Sequence, residues 1–226
     1  MVGLITTEDE TAYRKEVEQL AVWCKAHNLA LNTEKTKEMI VDFRTRIRPP
    51  HHPMTIDGSA VERVTSTTFL GVLLTDNLAP SSNITAITKK AQQRLYPLRQ
   101  LKKVDLPIPA LTMFYRGTIE SLLTYCFTSW YGNSTVEEKK QLHRTLRTAE
   151  RIIGTSLPFL ADMYQQRCLR RATGIIGDTT HPFHGLISLL PSGRRYGSIG
   201  AKTERMKNSF LPQAVRFLNV NLTGRQ

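Results

Sequence analysis

A series of positively charged side chains at helical spacing is the strongest chemical signal in this sequence. From about Ser82 onward, apolar residues recur every three or four positions, which predicts an amphipathic helix. Basic residues decorate the rest of this helix: Lys89, Lys90, Arg94, Arg99, Lys102 and Lys103. Such side chains can contact the phosphates of RNA or DNA while the apolar face packs, and these contacts hold a nucleic acid without reading its sequence. The competing interpretation is an ordinary solvated helix face.

Further basic and aromatic residues could extend this surface. Six arginines follow in two predicted helices: Arg144, Arg147, Arg151, Arg167, Arg170 and Arg171. Arg194 and Arg195 follow a Pro-Ser-Gly turn. Trp130 and Tyr131 could stack on bases, although a partly buried aromatic pair is the interpretation that we favour.

Histidine and cysteine residues do not form a recognisable metal site. His51 and His52 lie among prolines, which indicates an exposed loop. His181 and His184 have the spacing of ligands, but only Asp178 is near them in the sequence. The cysteines are odd in number and match no zinc spacing, so free and mostly buried thiols are expected: Cys24, Cys126 and Cys168. We expect no metal ion.

Positive charge is concentrated in the second part of the chain. Residues 89–226 carry 22 Lys and Arg against eight Asp and Glu, whereas residues 1–88 carry nine against eleven. An excess confined to one patterned segment suggests a polyanionic partner, most simply nucleic acid. No apolar run reaches the roughly 18 residues that span a bilayer, and residues 1–10 lack a secretory signal. We therefore expect an intracellular protein, cytoplasmic or nuclear, without a membrane partner.

The elements that would position these residues are predicted in the order helix, small sheet, then helices, which indicates an α+β fold. Residues 8–27 have helical periodicity, Asp57-Gly58 is a hairpin signal, and residues 68–74 have the pattern of a strand. In the helix that begins near Ser82, Pro97 should produce a kink or end the helix near Tyr96.

Three more helices are predicted downstream. The first covers about residues 109–126, and the second is opened by a capping box at Ser134-Thr135 and continues to about Gly154. The third spans about residues 160–173. After Gly174 the periodicity weakens, and we expect few regular elements beyond short segments at residues 186–190 and 213–218.

Several motifs, in this order, resemble the downstream half of LINE-type (non-LTR) retrotransposon reverse transcriptases. Residues 32–39 (NTEKTKEM) resemble motif D, residues 69–72 (FLGV) resemble motif E, and the basic helix resembles the thumb. Later segments, such as residues 207–210 (KNSF), are similar to the region after the thumb. The resemblance implies a truncated palm, made of a helix and a small antiparallel sheet, in residues 1–80. It implies a thumb-like helical region in residues 81–133 and a basic helical carboxy-terminal region in residues 134–226.

The resemblance also implies roles for particular residues. Lys35 matches the motif D lysine, which in the family is thought to protonate departing pyrophosphate. Phe69, Leu70 and Gly71 match the primer grip, where glycine would permit a close backbone approach. A buried strand with a bulge is the alternative for these three residues, and we favour packing. The six basic residues of the predicted helix would contact nucleic acid as the thumb does.

The catalytic carboxylates of the family are missing from this sequence. Family members place two adjacent aspartates just before the equivalent of Val2, where they hold two metal ions. Here Asp9 and Glu10 are more simply the negative start of a helix. We therefore expect a fragment of an RNA-directed DNA polymerase that binds nucleic acid without polymerising it, in which Lys35 is vestigial. Mg²⁺ is expected only for the intact polymerase, whose upstream portion would be a missing partner.

Two other classes of function stay open. Residues 95–135 also resemble a segment labelled as the amino-terminal part of AlkB-homologue dioxygenases, which would suggest an adaptor or regulatory domain. An iron(II) and 2-oxoglutarate site requires a His-x-Asp pair, and none of the six histidines is followed by x-Asp. Oxygenase chemistry is therefore not predicted. The remaining possibility is an inert product of a decayed mobile element.

Overall fold

The computed structural model describes residues 2, 3, 5, 9–43 and 51–223, which fall into two compact units. The first unit is Met1–Ala79 and the second is Pro80–Gln226. The named strands of the described residues all lie in the first unit, and the second unit is mainly helical. The predicted α+β class is confirmed. The division of the second unit into thumb-like and carboxy-terminal regions stays a prediction.

The described residues of the first unit form one helix and six short strands. Helix α1, Thr11–Ala26, places Val17 and Ala21 against Met54 and Ile56 in a small core. The strands are β1 Lys37–Glu38, β2 Thr55–Ile56, β3 Ser59–Ala60, β4 Glu62–Arg63, β5 Ser66–Phe69 and β6 Val72–Thr75. Residues 6–8, which include the first position of the predicted helix, and residues 44–50 lie outside the described residues.

Strand pairing differs in detail from the small antiparallel sheet that was expected. The strands form three sheets of two strands each, and the pair β1–β4 is parallel. The predicted Asp57-Gly58 hairpin is confirmed, since β2 and β3 pair across these two residues, both of which have positive φ. The continuous strand predicted for residues 68–74 is wrong. Leu70 and Gly71 have φ of 46° and 80°, so the chain reverses there and β5 pairs with β6.

The second unit contains eight α-helices among its described residues. They are α2 Ser81–Lys103, α3 Ile108–Tyr115, α4 Ser121–Leu123, α5 Phe127–Trp130, α6 Val136–Ile153, α7 Leu160–Gly177, α8 Glu204–Lys207 and α9 Phe210–Thr223. A π-helical segment, Arg116–Glu120, joins α3 to α4 without interruption. Short 3-10 turns occur at Tyr131–Asn133 and His184–Leu186. No helix in the described part of the chain combines the length and apolar character needed to cross a bilayer.

The main core of the second unit joins α2, α3 and α6. Leu98, Leu111 and Leu146 are completely buried in it, and burying a leucine side chain stabilises a fold by about 1.5–3 kcal/mol. The apolar faces predicted for these helices are therefore confirmed. Helix α2 does not end at Tyr96 but continues through Pro97. Pro97 is exposed, so water can reach the carbonyl group that loses its helical donor.

The ends of α6 are fixed by the residues that the sequence indicated. The Thr135 hydroxyl accepts from the Glu138 N–H at 3.2 Å, and the Glu138 carboxylate accepts from the Thr135 N–H at 2.7 Å. Gly154 ends the helix with φ of 87°. This capping box and glycine stop confirm the predicted boundaries.

A second core in this unit joins α7 and α9. Ala172 and Ile175 of α7 are buried with Ala214 and Val215 of α9. This packing extends α9 well beyond the short segment predicted at residues 213–218. Leu211, Ala214, Val215 and Leu218 recur at helical spacing, and their burial against α7 stabilises the helix that they form.

Candidate nucleic-acid interface

Helix α2 carries six exposed basic side chains. All six cations predicted to bind nucleic acid are exposed, and α2 contains no acidic residue. None of the six forms an ion pair with a residue that the structure describes. Because no ion pair with a described residue neutralises them, their positive charge is available to an anionic partner.

The six cations point to different sides of α2, according to their angular positions around the helix axis. At about 100° per residue, positions seven apart lie on nearly the same side of a helix. Lys89, Tyr96 and Lys103 therefore share one side, with Gln93 and Gln100 between them. This side lies opposite the buried apolar residues of α2: Ile84, Ile87, Ala91, Leu95 and Leu98. We call Lys89, Gln93, Tyr96, Gln100 and Lys103 the outer stripe, and Arg99 lies beside it.

Arg94 lies on a flank of α2 and has a partner within the protein. Its guanidinium Nη1 donates to the main-chain carbonyl of Thr118. Thr118 belongs to the π-helical segment, whose backbone hydrogen bonds join residues five positions apart instead of four. Arg94 therefore ties α2 to the following helix, and Lys90 lies one turn earlier on the same flank.

Glu120 ends the π-helical segment in a partly desolvated environment. Burial raises the pKa of its carboxyl group, and the nearby guanidinium groups of Arg116 and Arg167 oppose this effect only in part. The Glu120 carbonyl accepts from the Thr124 hydroxyl at 2.7 Å. The charged form of the Glu120 carboxyl group is therefore disfavoured in the folded protein.

Two of the arginines that could extend the surface, Arg167 and Arg171, also contact other parts of the second unit. Arg167 donates from Nη1 to the Thr124 carbonyl at 2.5 Å. Arg171 donates to the Thr128 hydroxyl at 3.1 Å and lies 4.7 Å from the centre of the Phe210 ring. The remaining arginines of these two helices are exposed on the surface: Arg144, Arg147, Arg151 and Arg170.

Arg194 and Arg195 lie in a small hairpin. Leu189 and Tyr196 form an isolated antiparallel bridge, and the Leu190 N–H donates to the Arg195 carbonyl at 2.7 Å. Gly193 has φ of 66° in the turn, a conformation that glycine adopts without strain. Both arginine side chains are exposed.

The aromatic pair Trp130 and Tyr131 is not available for base stacking. Both residues are buried beside Phe127 in the main core, and the Trp130 indole Nε1 donates to the Tyr125 carbonyl at 2.9 Å. The preference for packing over base stacking is therefore confirmed, although the pair is buried and not partly buried as predicted. Tyr96 of the outer stripe was missed, although its spacing of seven residues from Lys89 and Lys103 could have marked it.

The motif-like residues of the first unit lie in two turns. Lys35 is exposed, and its N–H donates to the Asn32 side-chain oxygen at 3.0 Å. Phe69 and Leu70 are at the tip of the β5–β6 hairpin, where they are 56% and 73% exposed. The packing interpretation of Phe69 and Leu70 is therefore wrong, because the two-residue turn directs them outward. Their assignment as a primer grip stays a prediction.

The described residues do not fit a catalytic metal pair. Nowhere among them do three His, Cys, Asp or Glu side chains come close enough together to hold a metal ion. The histidines that had suggested ligands form local hydrogen bonds, since His51 contacts Glu10 and His181 accepts from the Phe183 N–H at 3.0 Å. The three cysteines are free thiols, of which Cys24 and Cys168 are buried, as predicted.

Comparison with known proteins gives two partial matches. The family model described as "Alkylated DNA repair protein alkB homolog 8, N-terminal" matches residues 81–121. This segment covers α2, α3 and the π-helical segment, including the contact between Arg94 and Thr118. A "Probable RNA-directed DNA polymerase from transposon BS" of Drosophila melanogaster is 26% identical over 113 residues. The aligned region is 49% of this chain and 12% of the length of that protein. No solved structure matches the chain at a significant level.

Proposed function

We propose that the second unit binds RNA or DNA through the exposed surface of α2, mainly by contacts with phosphates. The observation that carries this proposal is a helix of 23 residues with six exposed cations and no acidic residue. Phosphate contacts of this kind give affinity and orientation but no sequence preference.

The similarity to a transposon polymerase supports the same proposal. We infer that the chain corresponds to a piece of a reverse transcriptase, with α2 in the role of a thumb helix that holds nucleic acid. The match spans only 12% of the Drosophila protein, so the polymerase activity of a longer protein is part of the proposal. In such a protein, residues outside this sequence would hold the Mg²⁺ ions and supply the catalytic carboxylates.

Salt dependence of binding tests the proposal. Neutralised phosphates release counterions, so affinity should fall steeply between about 50 and 200 mM salt. A triple variant, Lys89→Gln, Arg99→Gln and Lys103→Gln, should bind more weakly at low salt and show a shallower salt slope. Fluorescence anisotropy with labelled oligonucleotides of unrelated sequences measures both quantities.

A matched triple variant controls for the change in net charge. Lys140→Gln, Lys202→Gln and Lys207→Gln remove the same charge from other parts of the second unit, where Lys140 and Lys207 pair with Glu137 and Glu204. This control should retain most of the affinity of the wild-type protein. Equal losses in the two triple variants would mean that net charge, and not α2, accounts for binding.

The chain by itself should not extend a primer. Two-metal nucleotidyl transfer requires carboxylates that hold both ions, and the described residues offer no such cluster. Incubation of the purified chain with a primed RNA template, deoxynucleotides and Mg²⁺ or Mn²⁺ should give no product. Reproducible extension would refute this part of the proposal.

A second candidate function follows from the match to the AlkB-homologue segment. Residues 81–121 could serve as an adaptor or regulatory module, and this role does not require an iron site. Flat affinity for nucleic acid across the salt range, together with a stable fold, would favour this candidate. Bound iron in mass spectrometry, or release of succinate from 2-oxoglutarate, would instead indicate an oxygenase.

A further inference from the structure

The outer stripe of α2 has a composition that phosphate binding alone does not require. Lysines stand at its two ends, while its centre carries Gln93, Tyr96 and Gln100. Tyr96 is the one aromatic residue of α2, and 64% of its surface is exposed. A surface that contacts phosphates alone would gain nothing from an exposed aromatic ring between two cations.

Pro97 adds a hydrogen-bond acceptor to this region. Proline has no N–H group, so the Gln93 carbonyl one turn earlier lacks its normal helical donor. Glutamine amides can donate and accept, and the tyrosine hydroxyl can do the same. The centre of the outer stripe therefore places the flat ring of Tyr96 next to amide and carbonyl groups that can form hydrogen bonds with the edge of a base.

We propose that Tyr96 stacks on an unpaired base of the bound strand, with Lys89 and Lys103 holding phosphates on either side of it. The ligand class is single-stranded RNA or DNA, or the unpaired end of a duplex. In a continuous duplex each base face is covered by its neighbours, so a ring exposed on a helix has no face to stack on. This inference rests on the proposed function of the same surface.

The proposal predicts a selective loss of affinity in the Tyr96→Ala variant. Stacking of a base on an aromatic side chain is sequence-tolerant and strong enough to change affinity by about 5-fold or more. Tyr96→Ala should weaken the binding of single-stranded RNA and DNA by that factor. Its affinity for a long duplex, in which end faces are few, and for a strand of abasic sites that keeps only the sugar-phosphate backbone, should not change.

Two variants sharpen this experiment on the full chain. Tyr96→Phe preserves the ring and should retain the preference for single strands. Tyr125→Ala removes another exposed aromatic side chain of the second unit and should leave binding unchanged. Circular dichroism of each variant establishes that the fold is retained, which is expected for position 96 because its side chain is largely exposed.

The outcomes separate this inference from the proposed function. If the wild-type chain binds no strand even at low salt, the proposed function fails and the inference fails with it. If the wild-type chain binds all strands in a salt-dependent way, and Tyr96→Ala affects them equally or not at all, only the inference is overturned. Weaker binding of single strands alone, restored in Tyr96→Phe, supports stacking.

Discussion

Asn219 pairs with the main chain of Tyr196 through both ends of its amide group. Its Oδ1 accepts from the Tyr196 N–H at 2.8 Å, and its Nδ2 donates to the Tyr196 carbonyl at 3.1 Å. This pairing attaches the hairpin that carries Arg194 and Arg195 to helix α9. This side chain adds polar contacts to the packing of Tyr196 and Ile199 against the α7–α9 core.

Asn219→Asp should destabilise this part of the second unit. The substitution removes the donor and places a carboxylate oxygen opposite the Tyr196 carbonyl, at a cost of about 1–3 kcal/mol. A lower urea midpoint and faster hydrogen exchange of the Tyr196 amide are the expected results. Asn221→Asp is the control, because Asn221 is exposed and donates only to the Phe217 carbonyl within α9. Equal effects at the two positions would contradict a specific role for Asn219.

Arg94→Gln should lower stability more than Lys90→Gln. Both substitutions remove one positive charge from the same flank of α2, but only Arg94 donates to the Thr118 carbonyl. Loss of this exposed hydrogen bond should cost about 1 kcal/mol. Thermal denaturation compares the two variants, while their losses of affinity for nucleic acid should be similar. An unchanged melting temperature in Arg94→Gln would show that the π-helical segment does not depend on Arg94.

Gly132→Ala should be strongly destabilising for steric reasons. A Cβ atom at this position would overlap the Asn208 carbonyl oxygen and lie 2.7 Å from the Tyr164 hydroxyl. Crowding of this kind costs about 1–3 kcal/mol in a packed interior. Gly174→Ala is the opposite case, since an added Cβ meets no atom within 4 Å in α7. That variant should gain about 0.5–1 kcal/mol of stability from helix propensity. In urea denaturation, the midpoint of Gly132→Ala should be lower than that of the wild-type protein, and the midpoint of Gly174→Ala should be higher.

Glu120→Gln should stabilise the protein at neutral pH. Burial raises the pKa of Glu120 in the folded state, so the folded protein binds the proton more readily than the unfolded chain. This carboxyl group therefore favours folding at low pH, and that contribution is lost as pH rises through the folded pKa. Glutamine removes the cost of the buried charge, so its advantage should appear near pH 7 and vanish below the ordinary carboxyl pKa of 4.5. Melting temperatures across this range test the sign, and a less stable variant at pH 7 would contradict it.

The sequence by itself determined the helices whose apolar residues recur at helical spacing. Leu98, Leu111 and Leu146 lie in the core as their periodicity predicts, because a 3.6-residue repeat leaves an amphipathic helix only one face to bury. Local signals also fixed the start of α6 at Thr135 and the turn at Asp57-Gly58. The excess of positive charge in α2 is likewise a property of the sequence.

Only the tertiary structure decided how individual side chains are used. It gave Arg94 a partner in Thr118, 24 residues further along the chain, and it exposed Phe69 and Leu70 at a hairpin tip. It also buried Trp130, whose aromatic side chain could have stacked on bases, and left Tyr96 exposed between cations. Periodicity within one element determines which face is apolar. The partner of each polar or aromatic side chain depends on which other element packs against it, and that choice is made only when the helices come together.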